Sequence, residues 1–222
     1  MKKQKLVINI FSVLYDAFFK KLGHEVSVGK TKKIMDPIYV IFEKIACQFP
    51  FIESLYIIPY RSMIKQELSM ISLSDDAHVL IIGCGSLPAT ALALNEACNV
   101  KIDCVDIDAK AVENAKRVLS KMKNKTISVQ LKNVLDHPLK SYDLIYLLYG
   151  ILDQIEMLKY ISDQIDQNTI VLFRTSTDIN ETKPELYTTI QSYFTVKNKV
   201  QIDSFGSIQT YYLSLAKNSV GS

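Results

Sequence analysis

The sequence has little of what a structural metal site or a disulfide framework needs. Its 222 residues include 4 cysteines and 3 histidines, and no two cysteines form a C-x-x-C pair. Zinc sites and disulfide scaffolds both require several suitably spaced ligands or cysteines. We therefore expect neither a metal site nor disulfide bonds. Cys84 lies inside a glycine turn, where it is either a nucleophile or, in the interpretation we favour, a small side chain that fills the turn.

Long apolar runs are missing as well. The stretch VINIFSVLYDAFF is interrupted at Asp16 and is soon followed by Lys20 and Lys21, so it falls short of the roughly 18 apolar residues that a membrane helix needs. The charged start of the chain resembles the flank of a secretion signal, but no small-residue cleavage site follows it. We expect no membrane span and a cytoplasmic location.

Acidic residues are scarce in the first 35 residues of the chain, whereas lysines are concentrated there. The net charge is +3, yet the first 35 residues carry eight lysines against Asp16 and Glu25. This arm contains no arginine and no regular aromatic stripe, which nucleic-acid-binding segments commonly have. We interpret it as a solvated surface and expect no nucleic-acid partner; RNA binding through the arm is the alternative.

Two sequence patterns meet near residue 75. Before it the sequence is helical: we expect one helix from Pro37 to a stop at Pro50, capped by Asp36, and a second helix that starts at Pro59. After it, short β-branched runs alternate with helical stretches, which is typical of a parallel sheet built from βαβ units. We predict a helical N-terminal segment, residues 1–75, and a sheet domain, residues 76–222. The predicted strands are 78–82, 101–105, 126–131, 142–148, 169–174, 195–202 and 209–216.

A glycine turn, GCGSLP, joins the first predicted strand to a helix. A dinucleotide-binding turn would have a third glycine where this chain has Pro88, which lacks a backbone N–H. The shorter G-x-G turn of Gly83 and Gly85 is intact. Asp106 ends the next predicted strand, where a carboxylate can accept both hydroxyls of a ribose; a purely structural acid is the alternative. Asp108 is a natural cap for the following helix.

These elements predict an α/β fold that is Rossmann-like: a mostly parallel seven-stranded sheet that ends in an antiparallel hairpin, preceded by the helical N-terminal segment. The motifs VLIIGCGS, VDIDAKAVENAKR and LKNVLDHPLKSYDLIYLLYGIL, followed by the hairpin, stand in the same order as in the class I S-adenosylmethionine-dependent methyltransferases. The chain resembles that superfamily over residues 75–217. The cofactor also suits the turn, since it brings a carboxylate to a helix N-terminus and no phosphate.

The resemblance implies a set of cofactor contacts. The backbone of Gly83, Cys84 and Gly85 would approach the methionine part of S-adenosylmethionine. Asp106 would hold the ribose, with Ile107 beside it also at the cofactor. Asn133 and Val134 would flank the adenine.

The chain departs from the superfamily pattern at three positions. Ile81 replaces a usual acid, Leu87 a frequent glycine and Asn133 a frequent aspartate. The segment GCGSLPATALAL instead resembles the G-x-G-x-L-P-x-T segment of nicotianamine synthase and its bacterial metallophore relatives. VDID, NVL, YDLIYLLYGILD, VLFRTS and IPYRSMIKQEL match that family more weakly. The second resemblance implies transfer of the aminocarboxypropyl group of the same cofactor.

Methyl transfer is an in-line displacement at a sulfonium, so the enzyme must orient the acceptor and exclude water, and it needs a base only if the acceptor loses a proton. Ligands of open α/β sheets bind beyond the carboxyl ends of the strands. Tyr149 and Asp153, after the fourth predicted strand, are therefore catalytic candidates; packing and helix capping are their alternatives. Tyr60 and Glu67 are further candidates, because their helix can fold over the cofactor.

Two arginines are candidates for binding carboxylates. Arg61 can pair with the methionine carboxylate in a bidentate manner or lie on the surface. Arg174, at the end of the fifth predicted strand, contacts an acidic substrate or anchors the strand.

The sequence therefore predicts an S-adenosylmethionine-dependent methyltransferase that acts on a small-molecule acceptor, with the N-terminal helices as a lid. The alternative reaction is aminocarboxypropyl transfer, as in metallophore biosynthesis. The former releases S-adenosylhomocysteine and the latter methylthioadenosine. A binding protein whose catalytic site has decayed is a third interpretation, favoured by Ile81 and Leu87.

Overall fold

A computed structural model of the protein describes residues 50–151, 153–175, 179–202 and 208–216. The basic arm of residues 1–35, the body of the helix predicted before Pro50 and the hairpin turn at 204–207 lie outside the described residues.

Seven strands form one sheet in the order β3-β2-β1-β4-β5-β7-β6. Neighbours from β3 to β5 run parallel, while β7 is antiparallel to both β5 and β6. This confirms the predicted mostly parallel sheet with its C-terminal hairpin. The strands are β1 (His78–Ile82), β2 (Lys101–Asp106), β3 (Ile127–Leu131), β4 (Leu144–Leu147), β5 (Ile170–Thr175), β6 (Phe194–Ile202) and β7 (Ile208–Leu215).

Six α-helices accompany these strands in the described part of the chain. None of them combines the length and apolar character that crossing a bilayer demands. Asp108 caps the third helix as predicted, since its side chain accepts hydrogen bonds from the backbone N–H groups of Lys110 and Ala111. The helices are α1 (Pro50–Leu68), α2 (Ala89–Ala97), α3 (Ala109–Lys121), α4 (Gln154–Gln164), α5 (Ile179–Thr182) and α6 (Pro184–Tyr193).

The predicted break between Pro50 and Pro59 is wrong. Pro50 is the first residue of α1, where a proline fits because the first N–H has no helical partner, and Pro59 lies inside the same helix. An internal proline removes one helical hydrogen bond and costs roughly 3 kcal/mol. Tertiary contacts offset this cost: α1 packs along α2 and buries Ile57, Met63 and Ile64.

The core lies on both faces of the sheet. Along β1, Val79 and Ile81 face a cluster that includes α2 and α3, whereas Leu80 and Ile82 face a cluster that includes α4 and α6. Burial on both faces explains why the central strands are almost continuously apolar. The packed sheet fixes the carboxyl ends of the parallel strands β1, β2, β4 and β5 on the same side of the domain. The residues predicted to form the site come directly after several of these strands.

Candidate functional site

The turn after β1 requires its glycines. Gly83 and Gly85 have φ angles of +79° and +70°, a left-handed conformation that L side chains rarely adopt. A Cβ on Gly83 would also lie 3.1 Å from Cγ1 of Ile151. The loop after β4 therefore rests directly on the turn after β1. The chain leaves β1 towards β2 on one side and β4 towards β5 on the other, so this contact marks the topological switch point at which α/β sheets bind ligands.

Asp106 fixes this turn from the neighbouring strand. Its Oδ2 accepts a hydrogen bond from the backbone N–H of Gly85 at 2.9 Å, and its Oδ1 accepts one from the N–H of Asp108 at 3.0 Å. Each carboxylate oxygen keeps a further lone pair. The acid predicted to hold a ribose is thus pre-oriented at the edge of the sheet and can accept two more hydrogen bonds.

Apolar side chains flank Asp106 in an exposed position. Ile107 is 68% exposed, and Leu131, which pairs with Asp106 across β2 and β3, is 55% exposed. Together Ile107 and Leu131 offer apolar surface beside the Asp106 carboxylate. Asn133 is also exposed and caps a short 3-10 helix by accepting a hydrogen bond from the N–H of Leu135, whereas Val134 is buried. These features suit a nucleoside with its ribose on the acid and its base on the apolar side chains.

Cys84 is buried in the turn, where its Sγ lies 3.7 Å from the carbonyl oxygen of Gly85. It also contacts Cys104, and this contact together with burial raises the pKa of the Cys104 thiol. The raised pKa disfavours the reactive thiolate form of Cys104. The geometry at Cys84 is that of a small side chain filling the turn.

A second cluster of polar side chains is buried beneath α1. The guanidinium of Arg174 forms a bidentate ion pair with Glu67, from Nε to Oε1 at 2.7 Å and from Nη2 to Oε2 at 2.6 Å. Its Nη1 donates to Oγ1 of Thr90 at 2.7 Å, and Thr210 donates its hydroxyl to Oε1 of Glu67 at 2.7 Å. Glu67 is 0% and Arg174 3% exposed. Burial lowers the pKa of Arg174, but the Glu67 carboxylate more than compensates and holds that pKa above its ordinary value.

Tyrosines complete this buried group. The ring of Tyr146 lies 5.2 Å from Cζ of Arg174, and Tyr60 is close enough to influence the same guanidinium. Burial, and then the negative charge of Glu67, raise the pKa of the Tyr146 hydroxyl, which makes no hydrogen bond of good geometry within the described residues. The structure thus brings Glu67, Tyr60 and Arg174 together. Sequence reasoning missed Tyr146, whose signal was a lone polar atom in the otherwise aliphatic strand LIYL.

Arg61 lies elsewhere. Its Nε and Nη2 pair with Glu96 at 2.6 and 3.0 Å, and the two side chains are 50% and 43% exposed. Glu96 is near the end of α2, about 10 Å along the helix from its first residue. The structure therefore places Arg61 at the end of α2 remote from the glycine turn.

The loop after β4 leads into a cleft. Tyr149 is half-buried, and Asp153 has a left-handed φ of +49° and caps α4 by accepting the N–H of Glu156 at 3.1 Å. The cleft has a volume of about 450 Å³, within the range of small-molecule sites. Lys183 crosses it by donating to Oε1 of Gln154 at 2.9 Å. The residues that line the cleft are Asp153, Gln154, Ile155, Thr182, Lys183, Pro184, Glu185 and Leu186.

The comparisons with known proteins agree with this geometry. Residues 65–147 match the family model described as methyltransferase small domain. A glutamate-to-glutamine variant of the nicotianamine synthase MtNAS superimposes with a TM-score of 0.73 at 16% identity, over 96% of this chain and 89% of that one. The chain has a methyltransferase fold. The predicted Rossmann-like architecture and the superfamily resemblance are confirmed.

Three further structures share this fold, one over as much of the chain and two over less of it. MtNAS in complex with S-adenosylmethionine gives a TM-score of 0.72 at 14% identity over 96% of this chain and 92% of that one. The geranyl diphosphate C-methyltransferase of Streptomyces coelicolor A3(2) gives 0.54 at 11% identity over 69% and 75%, and the [4+2]-cyclase SpnF gives 0.58 at 9% over 70% and 80%. No curated protein matches the sequence. At these identities the likeness establishes the fold, and the reaction has to be argued from the site.

Proposed function

We propose that the chain is an S-adenosylmethionine-dependent transferase that acts on a small-molecule acceptor. The observation that carries the proposal is the arrangement of Asp106, whose carboxylate is fixed by the N–H groups of Gly85 and Asp108 and flanked by the exposed Ile107. This arrangement offers acceptors for a ribose and apolar surface for a base within one edge of the sheet.

The methionine end of the cofactor has a suitable position at the start of α2. This helix begins at Ala89, its N-cap residue Pro88 makes no side-chain capping hydrogen bond, and its first turn has no acidic residue. The amide groups and partial positive charge at such a helix start favour a carboxylate. We propose that the turn of Gly83 to Gly85 carries the methionine part between this helix start and Asp106.

The cleft lined by Asp153 is the proposed acceptor site. Asp153 follows the loop after β4, and Ile151 of that loop packs against Gly83 of the turn. When bound, the cofactor supplies an electrophilic carbon on a cationic sulfur. Lys183 and Gln154 would orient the acceptor, Tyr149 would help to exclude water, and the Asp153 carboxylate would take up the proton of an acceptor that has to lose one.

Methyl transfer is the first candidate reaction, because the matching family model is that of a methyltransferase domain. Aminocarboxypropyl transfer is the second. A specific observation favours it: the likeness to MtNAS extends over 96% of the chain, whereas the C-methyltransferase covers 69% of it. In neither proposal does Glu67 touch substrate, because its carboxylate is buried and engaged by Arg174 and Thr210; Glu67 would position α1 over the site.

Calorimetric titration with S-adenosylmethionine tests the proposal. We expect binding, and a loss of about 1–3 kcal/mol when Asp106 is changed to alanine or asparagine. Asp163→Ala, which removes an exposed carboxylate from α4, is the matched control and should bind normally. Mass analysis after incubation with a metabolite extract then separates the reactions: S-adenosylhomocysteine indicates methyl transfer, and methylthioadenosine above the spontaneous background indicates aminocarboxypropyl transfer. Absence of binding by the unaltered protein would refute both.

A further inference from the structure

Positive charge is concentrated on one part of the described surface. Between residues 109 and 132 the chain carries seven lysines and arginines and a single acid, Glu113. The net charge of this stretch is therefore +6, whereas the whole chain is +3 and the remainder is −3. Glu113 is already engaged, because Nζ of Lys110 donates to its Oε2 at 2.7 Å. From residue 114 to residue 132 there is no acidic residue at all.

The structure brings five of these cations onto one surface, which we call the basic face: Lys116, Arg117, Lys121, Lys123 and Lys125, all exposed. The first three lie along the solvent side of α3, where Lys116 and Lys121 are separated by about 7.5 Å along the helix axis. The other two lie in the turn that leads to β3, an edge strand of the sheet.

Hydrogen bonds hold the basic face in place. Nη2 of Arg117 donates to Oδ1 of Asn114 at 2.9 Å. Between Lys123 and Lys125, Oδ1 of Asn124 accepts the N–H groups of Thr126 and Ile127 at 3.0 Å each, and its Nδ2 donates to Asn95 at 2.7 Å. The cations are thus carried by an ordered helix and an ordered turn. A lysine in the last helical turn complements the helix dipole, which explains Lys121 and leaves the others unexplained.

The composition of the face selects the partner. The apolar side of α3 is buried in the core and has nothing to insert into a bilayer. Two large apolar side chains of residues 114–132 are exposed: Met122, beside the lysines of the face, and Leu131, at the end of β3 next to Asp106. No aromatic residue occurs in this stretch, so the face lacks the clustered aromatic centre of a protein interface. A phosphate backbone is recognised by charge alone, without an apolar centre.

We propose that the basic face binds the phosphate backbone of a nucleic acid without reading its sequence. This surface is separate from the N-terminal arm, on which the expectation of no nucleic-acid partner rests. It is also independent of the proposed transferase site, since it uses none of the residues at the carboxyl ends of the parallel strands.

The test is fluorescence anisotropy of the full chain with a short labelled DNA duplex of mixed sequence, at salt concentrations from about 50 to 200 mM. We expect log affinity to fall with log salt concentration, since each neutralised phosphate contributes a slope of about −0.9. The variant Lys121→Gln/Lys123→Gln/Lys125→Gln should lower the magnitude of the slope by about 3 and weaken binding roughly 100-fold at about 0.1 M salt.

The control Lys159→Gln/Lys197→Gln/Lys199→Gln makes the same charge change at exposed positions on α4 and on the opposite edge strand β6, and should leave the slope within about 1 unit of the unaltered protein. Thermal melts of both variants check that they fold. Duplex binding that is absent, or that both variants weaken equally, overturns the proposal. So does retention on anionic phosphatidylserine vesicles without any binding of the duplex, which would assign the face to a membrane surface.

Discussion

Replacing Glu67 with glutamine removes one charge from the buried ion pair and leaves its shape almost unchanged. Arg174 then remains a buried cation, because its pKa is too high for it to lose its proton. Removing one partner of a buried pair costs about 3–5 kcal/mol, since the other charge stays desolvated. This is a large part of the 5–15 kcal/mol that stabilises a typical domain. At roughly 2–4 °C per kcal/mol for a chain of this size, we expect the melting temperature to fall by on the order of 10 °C.

The double variant Glu67→Leu/Arg174→Met separates the charge effect from packing. Apolar replacement of both partners is often close to neutral, but here Thr90 and Thr210 would each lose a buried hydrogen-bond partner, at about 1–3 kcal/mol per group. We therefore expect the double variant to be about as stable as Glu67→Gln, and clearly more stable than the sum of the losses for Glu67→Leu and Arg174→Met measured singly.

Urea denaturation followed by circular dichroism measures these differences. Arg61→Met is the matched control, because it breaks a bidentate arginine–glutamate pair that is exposed, and such pairs contribute about 0–1 kcal/mol. A loss for Glu67→Gln as small as that for Arg61→Met would refute the reasoning. A double variant less stable than the sum of the single changes would refute it as well.

Three further outcomes are expected. Gly83→Ala should destabilise the fold and abolish S-adenosylmethionine binding, because the new Cβ would combine a left-handed φ with a 3.1 Å contact. Gly150→Ala has a φ of +97° and no atom within 4 Å of the added Cβ, so it should cost only the backbone strain of about 1–3 kcal/mol. Urea denaturation and calorimetry of both variants measure these effects. Burial lowers the pKa of His137, so as the pH falls below about 6.5 the His137 side chain of the unfolded chain is protonated before that of the folded chain. The contribution of His137 to the free energy of unfolding should therefore be constant above that pH and decline below it. His137→Gln should flatten the pH profile of urea denaturation. Asp153→Asn retains an N-cap acceptor, so it should keep stability and lose turnover if the carboxylate takes up a proton, whereas unchanged turnover in a product assay would leave Asp153 only its capping role.

The parts of the fold that depend on local pattern were predictable from the sequence. Buried strands stand out as apolar runs, Asp108 signals a helix start, and Gly83 with Gly85 marks a turn that other residues cannot form. Pro59 misled the prediction for the same reason, since a local signal for a helix start was overridden by packing of the whole helix. The position of Arg61 at the far end of α2 likewise depends on how α1 crosses its neighbour.

The buried group around Arg174 shows where sequence reasoning stops. Its members come from α1, α2, β4, β5 and β7, and Glu67 and Thr210 are separated by 143 positions along the chain. No spacing rule connects such residues, because only the strand order places β5 beside β7. Sequence patterns singled out Glu67 and Arg174 as separate candidates for chemistry, and the fold joins them to each other.

The two candidate reactions make different demands on this site, although they begin from the same bound cofactor. In the proposed binding mode, methyl transfer would keep the ribose at Asp106 and the carboxylate at the start of α2 within one product, S-adenosylhomocysteine. In aminocarboxypropyl transfer, the carbon–sulfur bond on the amino-acid side breaks, its electron pair stays on sulfur, and the carboxylate departs with the acceptor. The carboxylate at the start of α2 and the ribose at Asp106 would then end in different molecules, and the acceptor would have to approach from the side of that helix. If the turn of Gly83 carries the cofactor and the cleft at Asp153 the acceptor, as proposed, the position of the sulfur relative to the cleft determines which carbon the acceptor can reach.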